Sequence, residues 1–170
     1  MSKPFRSLAL RPFLPKDTPL LTSIFAASVE QLTGDDYDPG QQAAWAGLAD
    51  DEDQFAKRLA GQLTLVATID GAPVAFASLR GNDHIDMLYV HPAVARQGVA
   101  TSLVDALEKL AGARGATMLS VDASDTAKPF FDKRGYSAQH RNAVAVGAEW
   151  LGNVSMQKRL PAAQREGNMQ

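Results

Sequence analysis

The spacing of apolar positions changes period along this chain, and each change marks an element. Residues 7–11 are short and half apolar, with Pro12 and Pro15 close behind, which predicts an edge strand. Leu20, Leu21, Ile24, Phe25, Ser28, Val29 and Leu32 then recur at i, i+3, i+4 spacing, a helix that Asp17 can N-cap and Gly34 can stop. Asp38 followed by Pro39 opens a second, shorter helix through Gln41, Gln42, Ala44 and Trp45. A third begins near Asp53 and carries Phe55 and Leu59. From residue 63 the period falls to two. Runs 63–69 and 74–79 flank Asp70-Gly71, a strong short-hairpin signal. Residues 84–90, HIDMLYV, give a third strand closed by His91-Pro92. A helix with Leu103, Val104, Leu107 and Leu110 on one stripe ends around residues 112–115. Residues 118–121 read as a buried strand and 126–134 as a short helix stopped by Gly135. Strands at 143–146 and 154–158 complete the pattern. The order predicts a mixed α/β domain, with a parallel pair where the long helix crosses from 84–90 to 118–121.

Composition narrows the chemistry. With 170 residues, 45% of them apolar, one sizeable core and one domain over residues 1–160 are expected, followed by a polar tail, 161–170. A formal charge of -2 offers no bulk attraction to nucleic acid or to anionic lipid. Cys is absent, which removes disulfides, thiolate metal sites and a Cys nucleophile together. His84-x-Asp86 is too small a set for a metal site, so none is expected. Neither a signal-peptide core nor an apolar run of membrane-spanning length occurs, so a soluble, cytoplasmic protein is expected.

The most informative segment is Leu88-Tyr89-Val90-His91-Pro92 followed by Arg96-Gln97-Gly98-Val99-Ala100. A strand enters a tight turn that opens into an amphipathic helix. Backbone N–H groups at such a helix start have no internal acceptor, and the helix dipole adds partial positive charge. Gly98 and Ala100 allow close approach, and Thr101 and Ser102 offer hydroxyls, so the turn suits a pyrophosphate. It is neither an ATP-binding P-loop nor a dinucleotide fingerprint. Taken by itself, it also reads as an ordinary strand–helix connection.

Here the chain strongly resembles the Gcn5-related N-acetyltransferase family. The family signature, Q/R-x-x-G-x-G/A, is matched at Gly98 and Ala100 and departs at Ala95, beside Arg96 and Gln97. IDMLYVHP together with ASDTAKPFFDKRGY is similar to a bacterial branch, the YafP-like acetyltransferases. The resemblance implies a mostly antiparallel sheet with a central, splayed parallel strand pair and flanking helices. It implies acetyl-CoA as co-substrate, with Leu88 and Val90 bonding the pantetheine amides and Tyr89 between them. Arg96, Gln97, Gly98, Val99, Ala100 and Thr101 would then cradle the diphosphate. In the family's second motif Ser124 falls at the usual Asn, and Phe131 at the Tyr that commonly protonates the departing thiolate. Phe131 has no proton to give and would pack on the coenzyme; Tyr136 falls at a packing position.

A small-molecule amine acceptor is the implied partner, and the family allows a homodimer. An amine must lose a proton before it attacks. Asp86 and His84 lie two and four residues before Leu88, on the same strand face, and either is a candidate base. Asp86 also reads as a partner for a cation. Nine acids and no Lys or Arg occur across residues 17–56, while Arg96, Lys128, Lys133 and Arg134 fall on the coenzyme side. This polarity suits a cationic acceptor, or it is a solvated acidic face. Tyr37, Gln41 and Trp45 share helical spacing and are candidates for the acceptor pocket, Trp45 also for the core. The reading from another class is an acetyl-CoA-binding regulatory module with little turnover.

Overall fold

The computed structural model describes residues 7–161. Seven strands form one sheet: β1 (Leu8–Pro12), β2 (Leu63–Ile69), β3 (Ala72–Arg80), β4 (His84–Val90), β5 (Met118–Ser124), β6 (Ser137–Val146) and β7 (Glu149–Arg159). Their spatial order is β1-β2-β3-β4-β5-β7-β6, antiparallel except for β4 and β5. The helices are α1 (Thr18–Leu32), α2 (Pro39–Ala46), α3 (Glu52–Ala60), α4 (Val99–Ala113) and α5 (Lys128–Lys133). This is the mixed α/β architecture expected.

Two apolar cores lie on opposite faces of the sheet. On one, Leu103, Val104 and Leu107 of α4 pack with Leu79, Ile85, Leu119, Val121, Phe131 and Tyr136. On the other, Leu21, Ile24, Phe25 and Val29 of α1 meet Phe55 and Leu59 of α3 over Val66, Phe76 and Met87. The β2–β3 hairpin turns on Asp70 (φ 52°) and Gly71 (φ 85°), both in the left-handed region that its two-residue connection requires. Leu20 departs from the expected stripe. It is 53% exposed, because the buried face of α1 is narrower than the apolar one.

Three local departures have physical reasons. Asp17 does not cap α1 through its side chain; its backbone is already helical at φ -76°, ψ -18°. Its carboxylate instead takes both Arg11 guanidinium nitrogens at 2.7 and 2.8 Å and Leu14 N at 2.8 Å. The Arg11 hydrogen bonds hold that buried carboxyl below the usual carboxylate range. Strands β6 and β7 are about twice the expected length. The first six residues of β6 are mostly exposed and polar, so no apolar alternation betrays them, yet the ladder to β7 begins at Ser137↔Gln157. Finally, the register between β3 and β4 slips. Ser78 pairs with Met87 and Leu79 with Ile85, so one step on β3 meets two on β4 and Asp86 is left as the bulge.

Candidate functional site

Strands β4 and β5 pair only at His84↔Ser120 and Ile85↔Val121, then part. Into the gap opens a cavity of about 360 Å³, walled by residues 85–90 of β4, 121–124 of β5, and parts of α1, α2, α5, β6 and β7. On its β4 wall the backbone is available. His91 N donates to Val74 O at 2.8 Å, so by the alternation of an antiparallel strand Tyr89 faces β3, while Leu88 and Val90 direct N–H and C=O into the gap. Tyr89 therefore gives the gap no backbone group, although its side chain reaches the cavity wall from the α1 face. Its ring lies 4.5 Å from Phe25 and 5.7 Å from Phe76, and its hydroxyl accepts from Trp45 Nε1 at 3.3 Å. Burial pushes that phenol up to about 12.

The turn beyond β4 runs through a single 3-10 turn (Pro92–Val94) before α4. Arg96 (φ 63°) and Gly98 (φ 85°) both take left-handed backbone there, an arrangement that strains Arg96 and suits Gly98. The first α4 bond runs from Ser102 N to Gly98 O at 3.1 Å, so the N–H groups of residues 98–101 have no acceptor within the helix. A Cβ built on Gly98 meets nothing within 4 Å, which leaves the approach to these donors open. Four clustered N–H groups and an open approach fit a diphosphate. Of the turn residues, Ala100 also reaches the cavity wall. Gln97 is engaged with its own turn, its Nε2 donating to Ala93 O at 3.4 Å. Lys128 pairs with Asp132 at 2.8 Å, and Arg134 with Asp105 and Glu108, so these two cations of the coenzyme side are held internally.

Phe131 is 1% exposed and meets the cavity between Phe130 and Tyr136, at ring distances of 5.1 and 5.0 Å. The Tyr136 hydroxyl donates to Glu108 at 2.9 Å; burial first, and then that carboxylate, drive its pKa strongly upward. It points along α4 and not toward the gap. Ser124 Oγ accepts from Ala127 N at 3.0 Å and fixes the entry to α5.

On the acceptor side, the bulge corrects the expectation that His84, Asp86 and Leu88 share one regular face. Leu88 packs with the α4 core, whereas Asp86 meets α3 on the opposite side. Asp86 takes Arg58 Nε and Gln62 Nε2, each at 2.8 Å, and Arg80 at 3.5 Å. Burial alone would raise its pKa, but the Arg58 and Gln62 hydrogen bonds outweigh that and hold it below the usual range. His84 lies behind the splay. Ser120 Oγ donates to Asp83 O at 3.2 Å and so accepts from His84 Nδ1 at 2.8 Å, which leaves the Nε2 lone pair 3.8 Å from Asp122 Oδ2. Burial, aided by Arg80, lowers the His84 pKa and keeps the ring neutral at neutral pH.

Tyr37 is a tie as well as a wall. Its hydroxyl accepts from Asp125 N at 2.9 Å and donates to Gly152 O at 2.6 Å, linking the α1–α2 loop to β7. Trp45 lines the cavity beside it. Gln41 does not; its side chain closes the α2 capping box and donates to Trp150 O at 2.8 Å. Sequence reasoning missed Asp122, the first β5 residue beyond the last β4–β5 rung, and Arg58 and Gln62. Nothing in their local pattern marks them. They become visible only when the sheet register is known.

Comparison with known proteins agrees with this geometry. The family described as acetyltransferase (GNAT) domain matches residues 33–160. The chain is 36% identical over 150 residues to the uncharacterized N-acetyltransferase YafP of Escherichia coli, covering 88% of this chain and 95% of that protein. A crystal structure described as a GCN5-related N-acetyltransferase, aminotransferase class-II, from Rhodopseudomonas palustris superposes with a TM-score of 0.90 at 60% identity, over 94% of this chain and 100% of that one. The PaiA N-acetyltransferase of Thermoplasma acidophilum, solved in complex with coenzyme A, shares the fold at a TM-score of 0.74 and 16% identity, over 90% of this chain and 99% of that one. No described helix is long and apolar enough to cross a membrane. The chain belongs to the GNAT family and is an acetyl-CoA-dependent N-acetyltransferase.

Proposed function

We propose that this enzyme moves an acetyl group from acetyl-CoA directly to the amine of a small, cationic molecule, both substrates being held together in the β4–β5 gap. The observation that carries this reading is the splay itself. It opens one cleft that has unpaired backbone donors on β4 and at the start of α4, and side-chain carboxylates on its far side. Leu88 and Val90 bond the pantetheine amides, and the N–H groups of residues 98–101 hold the diphosphate. Arg96 and Gln97 fold over the same turn. The coenzyme supplies a thioester carbon open to an amine and a thiol leaving group of pKa about 8.5, which needs little acid assistance. That explains how Phe131 can stand where relatives carry a tyrosine.

His84 Nε2 takes the proton that the acceptor ammonium must lose, directly or across one water. Its neutral ring and its position beside Asp122 support that role. Asp86, with both carboxylate oxygens already engaged by Arg58, Gln62 and Arg80, fixes the bulge of β4. As the amine nitrogen bonds to the acetyl carbon, the carbon–sulfur bond breaks and its electron pair leaves with sulfur; the nitrogen sheds its second proton on becoming the amide, and water relays that proton to the thiolate. No Cys is present to carry a covalent intermediate. A continuous thiol-release assay over a panel of amines tests the reading; acetyl-CoA binding without acceptor-dependent release would refute it.

A further inference from the structure

The acids of residues 35–53 do not form the inner wall of the cleft. Asp36 is taken up by Thr126 Oγ1 at 2.7 Å, while Asp38 and Asp51 cap α2 and α3. Among the side chains that do line the cleft, most polar groups already have partners within the protein. Tyr37 is bonded twice, Thr33 binds Val29 O, Asn153 accepts from Asn142 and Ser124 accepts from Ala127. Asp86 carries three donors. Asp122 differs. Ser155 Oγ donates to its Oδ1 at 2.7 Å, but among the described residues its Oδ2 has no hydrogen bond, only His84 Nε2 at 3.8 Å.

Apart from Ser28, the rest of the acceptor wall is apolar, chiefly Leu32, Trp45, Leu48, Val144, Val146 and Leu151. Leu48 and Val144 remain 50% and 40% exposed, facing the cleft from the helical side and from the β6–β7 hairpin. Exposed apolar side chains that meet across a concave site mark a surface built to be covered by a ligand.

We propose that the acceptor is a primary monoamine on a compact apolar body, its ammonium resting on Asp122 Oδ2 beside His84 and its body against Leu32, Leu48, Val144 and Val146. The proposal rests on the acetyl-transfer reading above and adds the substrate class. A polyamine is disfavoured because the described residues lining the cleft include no second free carboxylate for a second ammonium. An amino acid is disfavoured because a carboxylate would lie against leucine and valine with no cation to meet it.

The test uses the purified full chain, saturating acetyl-CoA, and propyl-, butyl-, pentyl- and hexylamine beside spermidine and β-alanine, read by thiol release. kcat/KM should rise about fourfold with each methylene added to the alkylamine, as expected for burial of one CH2 group. Spermidine and β-alanine should be poorer than hexylamine. Leu48→Asp and Val144→Asp replace exposed side chains and should leave the KM for acetyl-CoA unchanged, while lowering kcat/KM for hexylamine about tenfold or more. A flat alkylamine series, a preference for spermidine or β-alanine, or unchanged hexylamine kinetics in both variants would each overturn the proposal while leaving acetyl transfer intact. If no amine of any class releases thiol although calorimetry shows that acetyl-CoA binds, the acetyl-transfer reading falls, and this proposal with it.

Discussion

The two ends of the cleft use different parts of the polypeptide. The proposed coenzyme end is built from main-chain N–H and C=O groups, on β4 beyond Ile85 and at the start of α4, where Gly98 holds a left-handed backbone. The proposed acceptor end is built from side chains drawn from α1, α2, β4, β5 and the β6–β7 hairpin. Backbone recognition depends on conformation and tolerates exchange of most side chains, so the turn can carry Ala95 at the first position of the family signature and still fit a diphosphate. Side-chain recognition has no such tolerance. On the proposed reading, the acceptor-side residues that face the cleft freely set specificity or proton transfer and can change without disturbing the coenzyme end.

The sharpest way to break this contrast is Gly98→Val. A β-branched residue at φ 85° is strained wherever it sits, so the turn must rearrange and acetyl-CoA binding should be abolished in a folded protein. Unchanged affinity by calorimetry would mean that the turn is not the diphosphate site. Next in size is His84→Gln, which should lower kcat by about 10²–10⁴-fold, the usual worth of general base help, with acetyl-CoA affinity unaltered. The sign of its pH dependence follows from the lowered pKa. The wild-type ring should gain its proton only below the ordinary value of about 6.5, so activity should hold down to that pH and fall on a limb that the variant lacks.

A smaller effect, of a different kind, is expected at Asp86. Asp86→Asn replaces a nearly buried carboxylate that takes three donors, and should cost about 1–3 kcal/mol in urea unfolding at pH 7. Because the folded pKa is depressed, this contribution is present above the unfolded value of about 3.9 and is lost as pH falls through the folded value. Wild type and variant should therefore converge as pH falls from about 3.9 toward and below the depressed folded value. A variant as stable as wild type at pH 7 would contradict the anchoring role. The smallest effect belongs to Phe131→Tyr, which should leave turnover intact or raise it. A severe loss of kcat at normal coenzyme affinity would show that Phe131 shapes the acceptor side.

The same contrast explains what could be read in advance. The strand, turn and helix around Gly98 lie within one short segment, so local chemistry marked the turn as a candidate phosphate site and the family resemblance favoured that reading over an ordinary connection. The β2–β3 hairpin was legible for the same reason, since Asp70-Gly71 encodes its own turn. The acceptor end depends on long-range register. His84, Asp86 and Leu88 are evenly spaced in sequence, but the bulge opposite Ser78 and Leu79 sends Leu88 to the α4 core and Asp86 to Arg58. Asp122 gains its place only because the β4–β5 ladder stops after Ile85↔Val121. The first six residues of strand β6 escaped notice because an edge strand with polar residues on both faces has no period to detect.

Amide hydrogen–deuterium exchange with and without acetyl-CoA tests the central claim most directly. The N–H groups of residues 98–101 lack helical acceptors, and those of Leu88 and Val90 face the open gap, so all should exchange quickly in the free protein. The account predicts that acetyl-CoA slows exchange at these two segments more than anywhere else. Protection centred on other segments, with residues 98–101 still exchanging freely under saturating acetyl-CoA, would contradict it.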